Sequence, residues 1–442
     1  MKQTLSRRGF IGSAAGASLG AAAAGLGLAA QANGAEKKTS QPAAAPAAKP
    51  VWPVWDDSEE RALLEVLHSG RWGRTAGGAT KAKAFEADFA RRMNAKYCVA
   101  TSSGTTALLT ALGAAGLGPG DEVVLPPYTF VATFNAITAS YALPVFADSD
   151  PSSFQIDPAT MARAITPATR VLLPVHIGGS PCNLDAITEL ARTRGLTLIE
   201  DACQALLAEW RGQPVGTRGV AGCFSFQASK NITAGEGGAV LTNDEEFANR
   251  CYNFHTPGAI KPPLSGRASN FRLTEFQAAL LLAQSARAEA QSKRRDANAA
   301  HLSTELAKIP GITPARLETG CTRSGWHLYM FRYDSRQFAG LSRARFIQEL
   351  ARAGVAASTG YNSLNTTPHV RALADNPYYQ KIYGRETMAR WLERCQCPAN
   401  DRLVEEAVWF SQTKLLESSG EMTRIVEVIA ALQKRAGELA KG

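Results

Sequence analysis

Between Glu122 and Thr242 the chain alternates short apolar runs with helical patterns, and few folds accommodate that alternation. The apolar runs are 122–125, LPVFAD at 143–148, RVLLPVH at 170–176, LTLIED at 196–201, GCFSFQ at 222–227 and GAVLT at 238–242. Each is short, apolar and bounded by Gly, Pro or acidic residues, which predicts a strand. Helical patterns lie between them; LDAITELARTRG, for example, stops at Gly195. Upstream, KAFEADFARRMNA sets Phe85, Phe89 and Met93 four residues apart, one face of an amphipathic helix. Strands that alternate with helices pair in parallel, because each crossover helix carries the chain back to the same starting edge. The predicted class is α/β, with a large domain built on a mostly parallel mixed sheet. Ligands of such sheets bind beyond the carboxyl ends of the strands. After about Arg294 the pattern shifts to HLYMFRYD, RARFIQELARAG and the long EMTRIVEVIAALQKRAGELA, which predicts a smaller α+β domain. The expected division is a large domain over 51–293 and a small one over 294–442.

The first residues belong to neither domain. MKQTLSRRGF is followed by an Ala/Gly-rich apolar stretch to Ala30 and by small-residue cleavage candidates at 30–32 and 33–35. This is the plan of an export signal over 1–35. The paired arginines of SRRGF resemble the twin-arginine signal, whose machinery carries folded proteins. An exported, periplasmic location follows, or a cytoplasmic one if the segment is misread. Residues 36–50, EKKTSQPAAAPAAKP, form a Pro/Ala linker with no core pattern. The formal net charge of +9 is spread without a dense Lys/Arg run carrying interleaved aromatics, so no nucleic-acid partner is expected. A basic surface instead suits an anionic small molecule. Eight cysteines are scattered, and the one close pair is Cys395 and Cys397, a CxC. That pattern is neither a disulfide scaffold nor a zinc site; buried free thiols and no metal are expected.

The chemistry collects at strand ends. LTLIEDACQA ends a strand in Asp201 and offers Gln204 one turn later. CFSFQASKNITAGEGGAV ends another at Ser225 and delivers Lys230 between an apolar strand and a glycine-rich turn. ATSSGTTALLTAL opens a helix with Gly104, Thr105 and Thr106, and LPPYTFVAT presents Phe130. Alone, each has a plain explanation. Asp201 reads as a helix cap, Lys230 as a solvated charge, SGTT as a helix start and Phe130 as core. Together they suit pyridoxal 5′-phosphate. That cofactor needs an amine to form an imine and a carboxylate facing its ring nitrogen. It also needs backbone N–H groups and hydroxyls for its phosphate, and an aromatic face on its ring.

The blocks SSGTTALLTAL, GPGDEVVLPPYTFVAT, PVFADSDP, LPVHIGG, IEDACQA, GCFSFQASKNITAGEGGAVLTND and NFRLTEFQAALLLAQ resemble the DegT/StrS-type sugar aminotransferases. The resemblance runs from about Trp52 to the C-terminus, through WHLYMFRYD and CPANDRLVEEAVWF. It implies a fold-type I PLP-dependent transferase. Lys230 resembles the Schiff-base lysine and proton shuttle, Asp201 the pyridinium partner, and Gln204 the amide that bonds the phenolic oxygen. Ser225, Thr105 and Thr106 resemble phosphate ligands, and Phe130 the stacked aromatic. Asn270 resembles an asparagine that reaches the phosphate of a neighbouring subunit, so a homodimer is implied. His176, His327 and Tyr361 lie in matched segments as candidate substrate contacts, with a satisfied structural role as the alternative for each histidine. The implied reaction moves an amino group from glutamate or glutamine to a keto-sugar or keto-cyclitol. The sequence departs from the family's Tyr-x-Pro-x-His pattern, with Tyr361 kept, Ser363 for Pro and Asn365 for His; this favours a cyclitol or unusual sugar. Two rivals stand beside this reading. A PLP sugar dehydratase or oxidative deaminase shares the fold, but family dehydratases replace the lysine with histidine. An exported non-catalytic binding or regulatory protein would have lost Asp201 or Lys230, and both are present.

Overall fold

All six apolar runs form strands of one seven-stranded sheet, and a seventh strand, Tyr97–Thr101, joins them. In chain order the strands are β1 (Tyr97–Thr101), β2 (Glu122–Leu125), β3 (Leu143–Phe146), β4 (Thr169–Leu172), β5 (Thr197–Asp201), β6 (Glu209–Trp210), β7 (Gln213–Pro214), β8 (Ala221–Ser225), β9 (Gly238–Thr242), β10 (Ile312–Pro314), β11 (Cys321–Arg323), β12 (Leu328–Tyr333) and β13 (Ala407–Ser411). The large sheet runs β1-β9-β8-β5-β4-β2-β3. Pairing is parallel from β3 through β2, β4 and β5 to β8, and antiparallel where β9 joins β8 and β1. β2, β3 and β9 are buried at every position. That explains their continuous apolar runs, since helices cover both faces of such a sheet. This computed structural model describes residues 52–256 and 267–441. The export signal expected at 1–35 and the linker at 36–50 lie outside the described residues.

The helix Lys81–Arg92 seats the predicted face of Phe85, Phe89 and Met93 fully inside. Phe89 meets Phe224 and Phe226 edge-on, with ring centroids 5.2 Å apart in each pair. Such pairs add about 0.5–1.5 kcal/mol beyond area burial, and here they fix the end of β8 from behind.

The second part of the chain corrects the expected division at 293/294. The helix Glu275–Leu306 spans 32 residues without a break and crosses that boundary. Its second half does join a separate core with Phe331, Phe346 and Ile425, over the antiparallel sheet β10-β12-β13. Residues 364–397 belong elsewhere. Val370, Tyr379, Met388 and Trp391 pack into the core of the large sheet. Trp391 donates to the Pro144 carbonyl and Tyr379 to that of Ala142, both on the β3 edge. The sequence pattern of this stretch is helical, and periodicity alone does not say which sheet a helix covers. All eight cysteines are free, five of them buried. Among the described residues no helix is long and apolar enough to cross a membrane.

Candidate active site

β5 and β8 are parallel neighbours, with Asp201 level with Cys223, so their carboxyl ends open at the same edge. Asp201 closes β5 and is 3% exposed. Its Oδ2 accepts from Thr133 Oγ1 at 2.8 Å and its Oδ1 from the Cys203 N–H at 3.2 Å. Thr133 is in turn bonded to Thr129 at 2.9 Å. A carboxylate accepts about four hydrogen bonds, so two bonds hold Asp201 and leave capacity toward the cavity.

Lys230 follows β8 by five residues, in a turn closed by its own N–H donating to Gln227 O at 2.8 Å. Burial pushes its amine below the ordinary lysine range, while Cys203 and Asp201 oppose that shift. Among the described residues no carboxylate stands within ion-pair distance of the amine. The base form is therefore more populated near neutrality than for a surface lysine.

Opposite stands the start of the helix Gly104–Ala114. Ser103 Oγ accepts from the Thr106 N–H at 3.1 Å, and Thr106 Oγ1 accepts from the Ser103 N–H at 2.9 Å. This capping box engages the Thr106 side chain, and Thr106 is not on the cavity wall; Thr105 is. The Gly104 and Thr105 N–H groups remain without an acceptor among the described residues, at the positive end of a helix. Glycine is required here for closeness. A Cβ on Gly104 would lie 2.6 Å from Ser225 Cβ, and one on Gly238 would lie 2.2 Å from Ser103 O.

These groups share one cavity of about 680 Å³. Its wall includes Gly104, Thr105, Phe130, Asp201, Gln204, Ser225, Lys230, His327 and Tyr361. Phe130 is the N-cap residue of the helix Val131–Thr138 and is 56% exposed. Gln204 accepts from the Gly178 N–H and donates to Tyr361 Oη, both at 2.8 Å. Burial raises the Tyr361 hydroxyl to about 12, so it stays protonated. His327 is buried and its Nδ1 has no partner. Burial, with Lys230 and Arg295 nearby, holds its imidazole well below the usual range and therefore neutral.

One residue expected at the site, His176, lies away from it, and Asn270, expected to serve a neighbouring subunit, is not on this chain's own wall. His176, a candidate substrate contact by sequence, has no exposure; its Nε2 lies 3.0 Å from Glu200 Oε2, and its Nδ1 accepts from the Cys182 N–H at 3.1 Å. Both nitrogens are engaged within the chain, so His176 is structural. Asn270 lies off the cavity wall, where its Oδ1 accepts from the Arg272 N–H at 3.4 Å. The departures at Ser363 and Asn365 also fall behind the wall. Ser363 bonds Asn365, Asn400 and Asp401, and Asn365 donates to Cys395 O. Tyr361 alone of that motif faces the cavity. Sequence reasoning does not single out Thr133, Trp409 or Ser411. Thr133 meets Asp201 across 68 residues, which no local pattern signals. Trp409 and Ser411 share one face of β13, visible in sequence only as the alternation in VWFS.

Pyridoxal phosphate fits this set. The Lys230 amine without a carboxylate partner and the two helix-start N–H groups without acceptors are groups that an aldehyde and a phosphate satisfy. Residues 54–409 match the DegT/DnrJ/EryC1/StrS aminotransferase family. The chain is 36% identical over 409 residues to the L-glutamine:2-deoxy-scyllo-inosose aminotransferase of Streptoalloteichus tenebrarius, covering 88% of this chain and 96% of that one. It is 37% identical over 346 residues to the spore coat polysaccharide biosynthesis protein SpsC of Bacillus subtilis, covering 75% and 85%. Among solved structures it superposes on 3-amino-5-hydroxybenzoic acid synthase with a TM-score of 0.77 at 32% identity, covering 87% and 98%. It also superposes on DesV of S. venezuelae, solved in complex with a ketimine intermediate, with a TM-score of 0.72 at 31% identity, covering 86% and 95%. The chain belongs to the DegT/DnrJ/EryC1/StrS aminotransferase family, and pyridoxal 5′-phosphate is its cofactor.

Proposed function

We propose that this enzyme transfers an amino group from L-glutamine or L-glutamate to a keto-cyclitol or a keto-sugar that carries no diphosphate. The observation that carries the reading is the shared cavity of Lys230 and Asp201, an amine on the turn after β8 and a buried carboxylate at the end of the neighbouring β5. When bound, the cofactor supplies an aldehyde for amine exchange and a ring that takes up electrons from the substrate's α-carbon. Lys230 Nζ, whose hold on a proton burial weakens, would take and return the α-proton. Asp201 would face the ring nitrogen and favour its protonated form, and Thr133 and the Cys203 N–H hold Asp201. Gly104, Thr105 and Ser225 would hold the phosphate, Phe130 the ring face, and Gln204 the phenolic oxygen.

Charge supports the acceptor class. Among the described residues on the wall, Lys230 is the one Lys or Arg side chain, and the acids are Asp201 and Glu236. With Lys230 and Asp201 committed to the cofactor, what remains is Glu236, a neutral histidine, hydroxyls and Trp409. A polyol is matched by such groups, whereas a nucleotide diphosphate calls for Arg or Lys forks. The glutamine:keto-cyclitol relative supports the same donor and acceptor. His327 and Tyr361 are the side chains we assign to the acceptor's hydroxyls. A homodimer with Asn270 serving the neighbouring subunit, and export by the twin-arginine machinery, complete the proposal; crosslinking of the purified protein and fractionation of the native host test these two.

The central experiment is a half-reaction. Purified protein should be yellow, and borohydride should fix the cofactor on Lys230, read by peptide mass. Glutamine or glutamate should then bleach the visible band with release of the keto acid. A band that persists with every amino acid tried would overturn the reading.

A further inference from the structure

Arg295 is 1% exposed, and no carboxylate comes within ion-pair distance of its guanidinium among the described residues. Its neighbour Asp296 is occupied with Trp326, at 2.7 Å. Burial outweighs the nearby Asp296 and lowers even this group, to about 9. A buried cation without an anion is costly, so the fold keeps Arg295 for what it holds. Its Nε and Nη2 both donate to Gln412 Oε1, at 3.1 and 2.5 Å. Its guanidinium also lies over the Trp52 ring, 5.8 Å from the centroid.

The two groups it holds meet the same short segment. Trp52 Nε1 donates to Ala228 O at 2.8 Å, and Gln412 Nε2 reaches Ser229 O at 3.4 Å. Ala228 and Ser229 are the two residues that precede Lys230. From the other side, Gln227 Oε1 accepts from the Ser229 N–H and hydroxyl, both at 2.8 Å. The lysine turn is therefore gripped on its carbonyl side by residues from two distant parts of the chain, Trp52 and Gln412, and Arg295 holds both. Gln412 also donates its N–H to His327 O at 2.9 Å, so the grip reaches the acceptor wall.

We propose that Trp52, Arg295 and Gln412 are positioning residues that clamp the turn carrying Lys230 and set how far its amine can move. The proposal rests on the reading of Lys230 as the cofactor's lysine, but its test does not. In the full-length protein stripped of cofactor, the rate of Lys230 modification by an amine-reactive anhydride is read by peptide mass. Trp52→Phe keeps the ring under Arg295 and removes one hydrogen bond, and should raise that rate about three- to tenfold, the worth of one such bond. Arg295→Lys keeps the charge and removes the two-pronged donor, and should raise it at least as much. Lys81, at the start of the helix Lys81–Arg92 and ion-paired with Glu65 at 2.7 Å, is outside the clamp's contacts and should keep its wild-type rate. Rates at Lys230 within twofold of wild type in both variants would overturn the clamp, as would equal rises at Lys230 and Lys81. Borohydride trapping on the loaded wild-type protein reads the lysine assignment separately.

Discussion

The two walls of the cavity are built differently. The wall made by the large sheet, with Gly104, Asp201, Ser225 and Lys230, is fixed by strand pairing and by contacts as close as backbone allows. Asp201 is bonded on both oxygens, and the helix start is closed by its own capping box. The wall made by His327, Leu328, Trp409 and Ser411, at the mouth of β12 and β13, carries a buried imidazole nitrogen with no partner. Unsatisfied buried polar groups are rare and costly, so their placement is informative. The first wall is a fixed frame that leaves the Gly104 and Thr105 N–H groups and the Lys230 amine free for one constant partner, as suits a cofactor that never changes. The second keeps capacity open, as suits an acceptor that must enter and leave.

Substitutions on the two walls should therefore fail in different ways. The largest effect belongs to Lys230→Ala, which should lower kcat by about a thousandfold or more, since it removes both attachment and proton transfer; stopped-flow half-reactions check it. Asp201→Asn keeps the shape of its site and should lower kcat by about a hundred- to a thousandfold through the lost charge; a smaller loss in kcat than in cofactor affinity would blur the comparison. His327→Ala should leave cofactor binding and the donor half-reaction near wild type and raise the acceptor's KM by about tenfold, the worth of a hydrogen bond to a buried group; equal losses in both half-reactions would move His327 to the cofactor wall. Tyr361→Phe removes one bond to Gln204 and should cost about threefold to tenfold, divided between the walls because Tyr361 joins them.

pH sharpens the contrast in stability. Burial depresses His327, and pushes His255 down to about 4, below the ordinary value of 6.5. The unfolded chain thus binds more protons than the folded one below about pH 6.5. Stability is fully present above that value and falls as pH drops toward 4. His255→Gln should flatten part of this loss in thermal unfolding; an unchanged slope would remove His255 as its cause.

Much of the first wall is legible in the amino-acid order. Asp201 and Ser225 sit at or near the end of an apolar run, Lys230 in the turn after one and Gly104 at a helix start, and local periodicity reports such ends directly. Phe85, Phe89 and Met93 are readable as a buried face for the same reason. The second wall is not legible in that way. His327 and Tyr361 stand out only by resemblance, and nothing local distinguishes His327, facing the cavity, from His176, locked against Glu200. The stretch 364–397 reads as helix yet covers the large sheet rather than its neighbours in sequence.

The sequence by itself therefore determined the class of fold, the strand ends and the reactive groups placed on them, because strand and helix periods are properties of neighbouring residues. Only the tertiary structure decided that Gln204 meets Tyr361 across 157 residues, that Thr133 supports Asp201, and that Trp52 reaches the lysine turn from 176 residues away. Those pairings depend on how packed layers close over one another, and that closure is settled by shape and burial summed over the whole chain rather than by any short segment.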